Sequence, residues 1–211
     1  MRTVKRVTMC IGIAGIVAGA LCAHAYEYEL ANPSFESGSA AYADGWTGVM
    51  PGAFMRTNVC VKSGSWSIAC VGGVAEWANV LQVISNDLDG QTVELTCWMY
   101  APSDSKPVAW HPDWFQDCSA ILKMEEPASS SPISEVFAIK NEAAGGVYDT
   151  WIHVTNRVAI FPSGKQNFKL VLLGVMTSGT IYYDDVRMTV VPEPGLALGA
   201  CLALLALRRR G

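Results

Sequence analysis

The stretch LDGQTVELTCWMYAP, Leu88 to Pro102, carries the clearest signal of how this chain folds. Asp89-Gly90 is a turn pair. After it, Thr92, Glu94 and Thr96 alternate with Val93, Leu95 and Cys97. A period of two marks a strand with one face buried and one wet. Trp98 and Tyr100, two positions apart, share one face of that strand.

The same texture spreads to both sides. WSIACVG (66–72), WANVLQVIS (77–85), CSAILKMEE (118–126), EVFAIKN (135–141), TWIHVTNRVAIF (150–161), NFKLVLLGVM (167–176) and TIYYDDVRMTVV (180–191) are rich in β-branched and aromatic residues. Turn formers separate them at Gly145-Gly146, Pro162-Ser163-Gly164 and Ser178-Gly179. Short strands at this spacing predict an all-β sandwich or barrel, with no helical periodicity, internal repeat or long linker. Pro102 to Asp117 is expected to be an irregular loop rich in Pro and Trp.

The two ends read differently. Arg2, Lys5 and Arg6 precede an apolar stretch from about Val7 to Cys22, and Ala23-His24-Ala25 is a small-x-small cleavage site. Residues 1–25 are therefore expected to be a signal peptide cut after Ala25, beginning as a signal helix. At the other end, Pro192-Glu193-Pro194 forms a stiff hinge, and a 13-residue apolar run (195–207) leads to Arg208-Arg209-Arg210. As a helix this run reaches ~20 Å, short of a ~30 Å hydrocarbon core, so it predicts a short transmembrane helix and a transient stay in the membrane. The arginines should stay on the cytoplasmic side.

This ending resembles a PEP-CTERM sorting signal, 192–211. The resemblance implies recognition by an exosortase after passage through the secretion machinery. It also implies delivery to the cell surface or extracellular matrix of a Gram-negative-type bacterium that makes exopolysaccharide. It says nothing about the body, residues 26–191.

Without both signals the body holds 9 basic and 18 acidic residues, a net charge of −9. No basic stripe survives, which argues against nucleic acid. An acidic exported domain suits neutral glycans or divalent cations better. Four of the seven cysteines remain: Cys60, Cys70, Cys97 and Cys118. An even count in an oxidising compartment predicts two disulfides, and loop closure favours Cys60–Cys70 and Cys97–Cys118 among three possible pairings. No close C-x-x-C pair supports zinc.

LANPSFESG (30–38), DGW (44–46), VKSGSWSI (61–68), LDGQTVELTCWMYAP and IYYDDVRM (181–188) follow one another along the body. Together they resemble galactose-binding-like jelly-roll modules, which include many carbohydrate-binding modules. The resemblance implies two antiparallel sheets whose first and last strands lie side by side. It also implies a structural calcium where the chain ends meet, with Glu36 and Asp185 as carboxylates and Asn32 and the Lys62-Ser63-Gly64 turn adding oxygens. Calcium takes six to eight oxygen ligands. In a regular strand Asp184 and Asp185 point to opposite faces, so only one should face such a site.

Catalytic signals are weak. His111, beside Asp113, lacks a recognisable nucleophile, and His153 sits on a predicted strand. No G-x-S-x-G, H-E-x-x-H or G-x-x-x-x-G-K motif occurs. The chain therefore reads as noncatalytic, with no catalytic cofactor. Tryptophans carry more information. Trp46 and Trp151 are expected in the core. Trp98, Tyr100, Trp110, Trp114 and Phe115 are candidates for stacking on sugar rings. The reading is an exported, surface-sorted polysaccharide-binding protein. Its rivals are a structural or adhesive matrix protein without a glycan pocket and, last, an orphan glycan hydrolase.

Overall fold

The computed structural model describes residues 25–39, 42–48, 52–71, 77–85, 88–105, 118–126, 129, 131–140, 145–159, 161–165, 167–175 and 179–191. The segments expected to be a signal peptide (before Ala25) and a sorting tail (Pro192 to Gly211) lie outside them, as does the segment 106–117, expected to be a loop. The compact unit that is described spans Glu27–Val190.

Thirteen strands and no helix make up the described chain. Five short ones come first: β1 (Tyr26–Tyr28), β2 (Gly38–Ser39), β3 (Tyr42–Ala43), β4 (Thr47–Gly48) and β5 (Phe54–Thr57). The body follows with β6 (Ser67–Val71), β7 (Trp77–Ile84), β8 (Thr92–Tyr100) and β9 (Cys118–Glu125). It closes with β10 (Pro132–Lys140), β11 (Trp151–Val158), β12 (Phe168–Val175) and β13 (Thr180–Val191). All eight strands read from the sequence are present.

They form two antiparallel sheets. The first runs β11-β8-β13-β6-β5, with β1 also paired to β13; the second runs β10-β9-β12-β7-β4. A two-stranded β2-β3 ribbon stands apart. The first and last strands are thus neighbours, as the jelly-roll resemblance implies. Pro132 opens β10, an edge strand, where the missing N–H costs no ladder bond.

The alternation in β8 sets its sidedness. Val93, Leu95, Cys97 and Met99 are fully buried between the sheets, and the residues between them are half-buried. Burying one such aliphatic side chain is worth roughly 1.5–3 kcal/mol. The apolar run FKLVLLGV in β12 is buried on both faces: Phe168, Leu170 and Leu172 join the main core, and Val171 and Leu173 cluster with Ile121. The sheets approach closely at Gly174, where a Cβ would fall 2.0 Å from Cys70 Sγ. Polar ties also cross the sandwich. Tyr183 Oη donates to the Leu173 carbonyl at 3.2 Å, and Asn156 Nδ2 donates to the Leu122 and Ser134 carbonyls.

Candidate functional site: an aromatic sheet face

The outward residues of the first sheet form a row of rings. Trp151 on β11 is in register with Tyr100 on β8, their ring centroids 5.5 Å apart. Tyr100 meets Tyr182 on β13 edge-on at 6.2 Å. Tyr182 is in register with Ala69, and Ala69 with Met55, so the row continues across β6 to β5. Four strand spacings of about 4.8 Å make it ~19 Å long. Beyond Tyr182 it drops into a groove lined by Met55, Thr57, Val59, Ala69 and Val71. One register step along β8, Trp98 packs on His153 at 4.8 Å.

Trp98 and Tyr100 therefore do lie on one half-buried outward face, as their spacing predicts. Trp110, Trp114 and Phe115 lie outside the described residues. Trp46 is in the core, 8% exposed and against Phe35 at 5.3 Å. Trp151, expected in the core, is instead half-buried on this outer face, because its pairing with Tyr100 turns it outward. Tyr182 is a member of the row that sequence reasoning does not find. Only the adjacency of β8 and β13 brings it to Tyr100, and no local pattern encodes that.

Carboxylates border the row. Asp149 precedes β11 in a left-handed conformation (φ 55), its N–H donating to the Ala101 carbonyl at 2.9 Å. Its Oδ1 accepts from the Ser103 N–H at 2.9 Å. Asp104 lies in the same 102–105 turn, with Oδ1 accepting from Ser105 Oγ. That turn is fixed to β13, because Ser105 Oγ accepts the Thr180 N–H at 2.9 Å. Burial pushes the Tyr100 phenol above its ordinary pKa, and the nearby Cys60, Asp149 and Asp104 push it further. Burial also raises Tyr182, with help from Cys60, Asp104 and Tyr100. The Lys62 ammonium sits 4.1 Å over the Trp98 ring.

Lys62 belongs to a clasp joining the 30–37 and 60–66 segments to β13. Asp184, fully buried, accepts the Lys62 and Ser63 N–H groups on Oδ2 and the Asp185 N–H on Oδ1. Asp185 accepts from Ser34 Oγ and Ser63 Oγ. Glu36 Oε1 accepts the Ser65 and Trp66 N–H groups. It lies so close to Gly64 (φ 67) that a Cβ there would fall 2.3 Å from it. Arg56 donates to the Phe35 and Glu36 carbonyls and stacks on Trp66 at 3.8 Å.

The expectation that Asp184 and Asp185 face opposite ways fails here. Asp185 is left-handed (φ 48), the alternation of β13 breaks at Tyr183-Asp184, and both carboxylates reach the same turn.

The expected calcium set fits this clasp in part. Glu36 and Asp185 both reach the 62–66 turn, with the Ser34 and Ser63 hydroxyls at Asp185. Asn32 does not join them. Its amide bonds its own loop, at the Ser37 and Asp44 carbonyls and the Ser37 N–H. Lys62 enters the clasp through its N–H, which is no metal ligand. No group of three or more His, Cys, Asp or Glu side chains among the described residues is placed to hold a metal. A full shell would need further carbonyl or water oxygens.

The Cys60–Cys70 disulfide is not formed; Cys60, Cys70 and Cys97 are all free thiols. Cys60 is tied to the start of β6, where Ser67 Oγ donates to its carbonyl at 2.6 Å. Cys70 lies three residues beyond Ser67 along β6, roughly 10 Å from it at the rise of an extended strand. Cys97 is buried in the core with Sγ 3.6 Å from the Asp184 carbonyl, so Cys97–Cys118 is not formed either. The Cys118 side chain lies outside the described residues.

No protein-family model and no curated protein matches the chain. Solved structures do. A cyclase from Fischerella sp. TAU aligns with TM-score 0.58 at 13% identity, over 80% of this chain and 98% of its own. TmCBM61, solved in complex with beta-1,4-galactotriose, aligns with TM-score 0.51 at 14% identity, over 80% and 99%. A family 16 carbohydrate-binding module aligns with TM-score 0.51 at 12% identity, over 76% and 99%. At such identities the likeness shows a shared fold: the jelly-roll sandwich of carbohydrate-binding modules, used also by a cyclase.

Proposed function

We propose that this protein is a noncatalytic polysaccharide-binding module, exported and sorted to the cell surface through its two terminal signals. The observation that carries the reading is the ring row Trp151-Tyr100-Tyr182, with Trp98 beside it, on one outward sheet face. Aromatic faces pack on the apolar faces of sugar rings, and the bordering Asp104 and Asp149 carboxylates can accept hydrogen bonds from sugar hydroxyls. The module fold supports the reading. So does His153, which packs on Trp98. The proposed partners are polysaccharide, the exosortase and, transiently, the membrane.

A structural calcium belongs to the proposal at Glu36 and Asp185, where it would add fixed charge-neutralising oxygen bonds to the clasp. Melting of chelator-treated protein should move to higher temperature on adding millimolar calcium. An unchanged melting temperature removes the metal from the proposal.

The binding test is a broad glycan panel against the purified protein, with Trp98→Ala, Tyr100→Ala and Trp151→Ala variants. At least one polysaccharide should bind, and Tyr100→Ala or Trp151→Ala should weaken it about tenfold or more, roughly 1.4 kcal/mol. A folded protein that binds no glycan would move the reading to a structural or adhesive matrix role.

A further inference from the structure

We infer that the aromatic face takes a cationic saccharide, one whose rings carry free, protonated amines, in preference to a neutral or acidic one. This rests on the glycan-binding reading of the same face and narrows it to a substrate class.

Three independent features converge. The first is the ring cluster itself. Trp151, Tyr100 and Tyr182 present tilted and edge-on rings within 5.5 and 6.2 Å of one another. Such clusters offer π-faces to an ammonium group from more than one side.

The second is the sign of the local field. Asp104 and Asp149 both act on the Tyr100 phenol, and Asp104 also acts on Tyr182. Asp149 is exposed and pinned by backbone hydrogen bonds, so its charge is held at the end of the row. A hydroxyl needs only an acceptor there. An ammonium gains both the acceptor and the charge. A uronate would meet like charge.

The third is what this region already does with its own cations. The Lys62 ammonium lies 4.1 Å over Trp98 on this face, and in the adjoining clasp the Arg56 guanidinium lies 3.8 Å over Trp66. The body's net charge of −9 adds attraction at long range. Lys62 opposes it at the Trp98 end. It sits on a long, exposed side chain that can swing off the ring.

The test compares a short chitosan oligosaccharide with its fully N-acetylated counterpart by calorimetry, at about pH 5.5, where amines are charged and ordinary carboxylates ionised. The amino form should bind about tenfold more tightly, and added salt should erode that margin. The Asp104→Asn/Asp149→Asn double variant, which keeps a hydrogen-bonding side chain at both positions, should bring the two affinities together. Lys62→Ala should tighten the amino form. Equal or tighter binding of the acetylated form overturns the inference. If that binding still falls in Tyr100→Ala, the glycan-binding reading survives. If neither form binds and no other glycan does, both fall. Melting curves of each variant confirm that it is folded.

Discussion

Asp184 is fully buried among backbone donors, and burial still outweighs them. Three N–H groups, from Ser63, Lys62 and Asp185, lower its pKa, yet burial first and the neighbouring Asp185 charge next raise it to about 6 from 3.8. A carboxyl whose folded pKa lies above its unfolded one stabilises the fold fully below 3.8 and loses that contribution as pH rises through 6. Acidification from about pH 7 to 4 should therefore strengthen the protein through this group, by on the order of 2 kcal/mol. Asp184→Asn keeps an acceptor for the Lys62 and Ser63 N–H groups and removes the titration. The difference in melting temperature between wild type and variant, followed against pH, should shrink as pH falls from 7 to 4 if Asn is the more stable at pH 7, or widen in favour of wild type. A difference independent of pH contradicts the assignment. The cysteines make a second residue-scale case. Burial pushes the Cys70 thiol up to about 12 and the Cys97 thiol higher still, while half-buried Cys60 is raised less. A thiol reagent should label Cys60 in the native protein and reach Cys70 and Cys97 only on unfolding. Peptide mapping reads this directly, and a Cys60–Cys70 crosslink in the map would refute it.

At the scale of elements, β11 is held to the second sheet by one polar side chain. Asn156 is fully buried, donates to the Leu122 and Ser134 carbonyls, and accepts from Ser134 Oγ at 2.5 Å. Asn156→Ala should cost about 1–3 kcal/mol, because it strands buried acceptors. Since β11 carries Trp151 and His153, the same variant should also weaken glycan binding. Denaturant unfolding and the binding assay, run together, measure both effects. A loss of stability without any loss of binding would show that β11 keeps its place by backbone pairing with β8 alone. The clasp has a comparable reach: the turn that Asp184 holds carries Lys62 to Trp98, so β13 shapes the aromatic face from both the Tyr182 and the Lys62 side.

Across the whole molecule, the proposed terminal signals make their own prediction: in a host with secretion machinery and an exosortase, mass spectrometry of the protein recovered from the cell surface should find Tyr26 at the start and the apolar tail removed. An intact tail would contradict the sorting proposal. The strands are legible in the sequence because β-branched and aromatic runs between turn residues follow from local backbone sterics and a period of two. Trp98 and Tyr100 fall on one face for the same reason. Nothing local could place Trp151 outside the core, find Tyr182, or bring Asp104 and Asp149 beside Tyr100, since each depends on which strands pair across up to about eighty intervening residues. The disulfide expectation fails similarly, because nearness in sequence ignores that Cys60 is tied to Ser67 at the start of β6 while Cys70 sits three residues farther along that strand. Composition, turn residues and a period of two suffice for an all-β chain, for Trp98 and Tyr100 on one strand face and for an acidic body. The tertiary structure alone decided the ring row, its carboxylate border and the break in β13 that turns two adjacent acids onto one turn, because strand order and a single left-handed residue are fixed only when the two sheets close on a shared core.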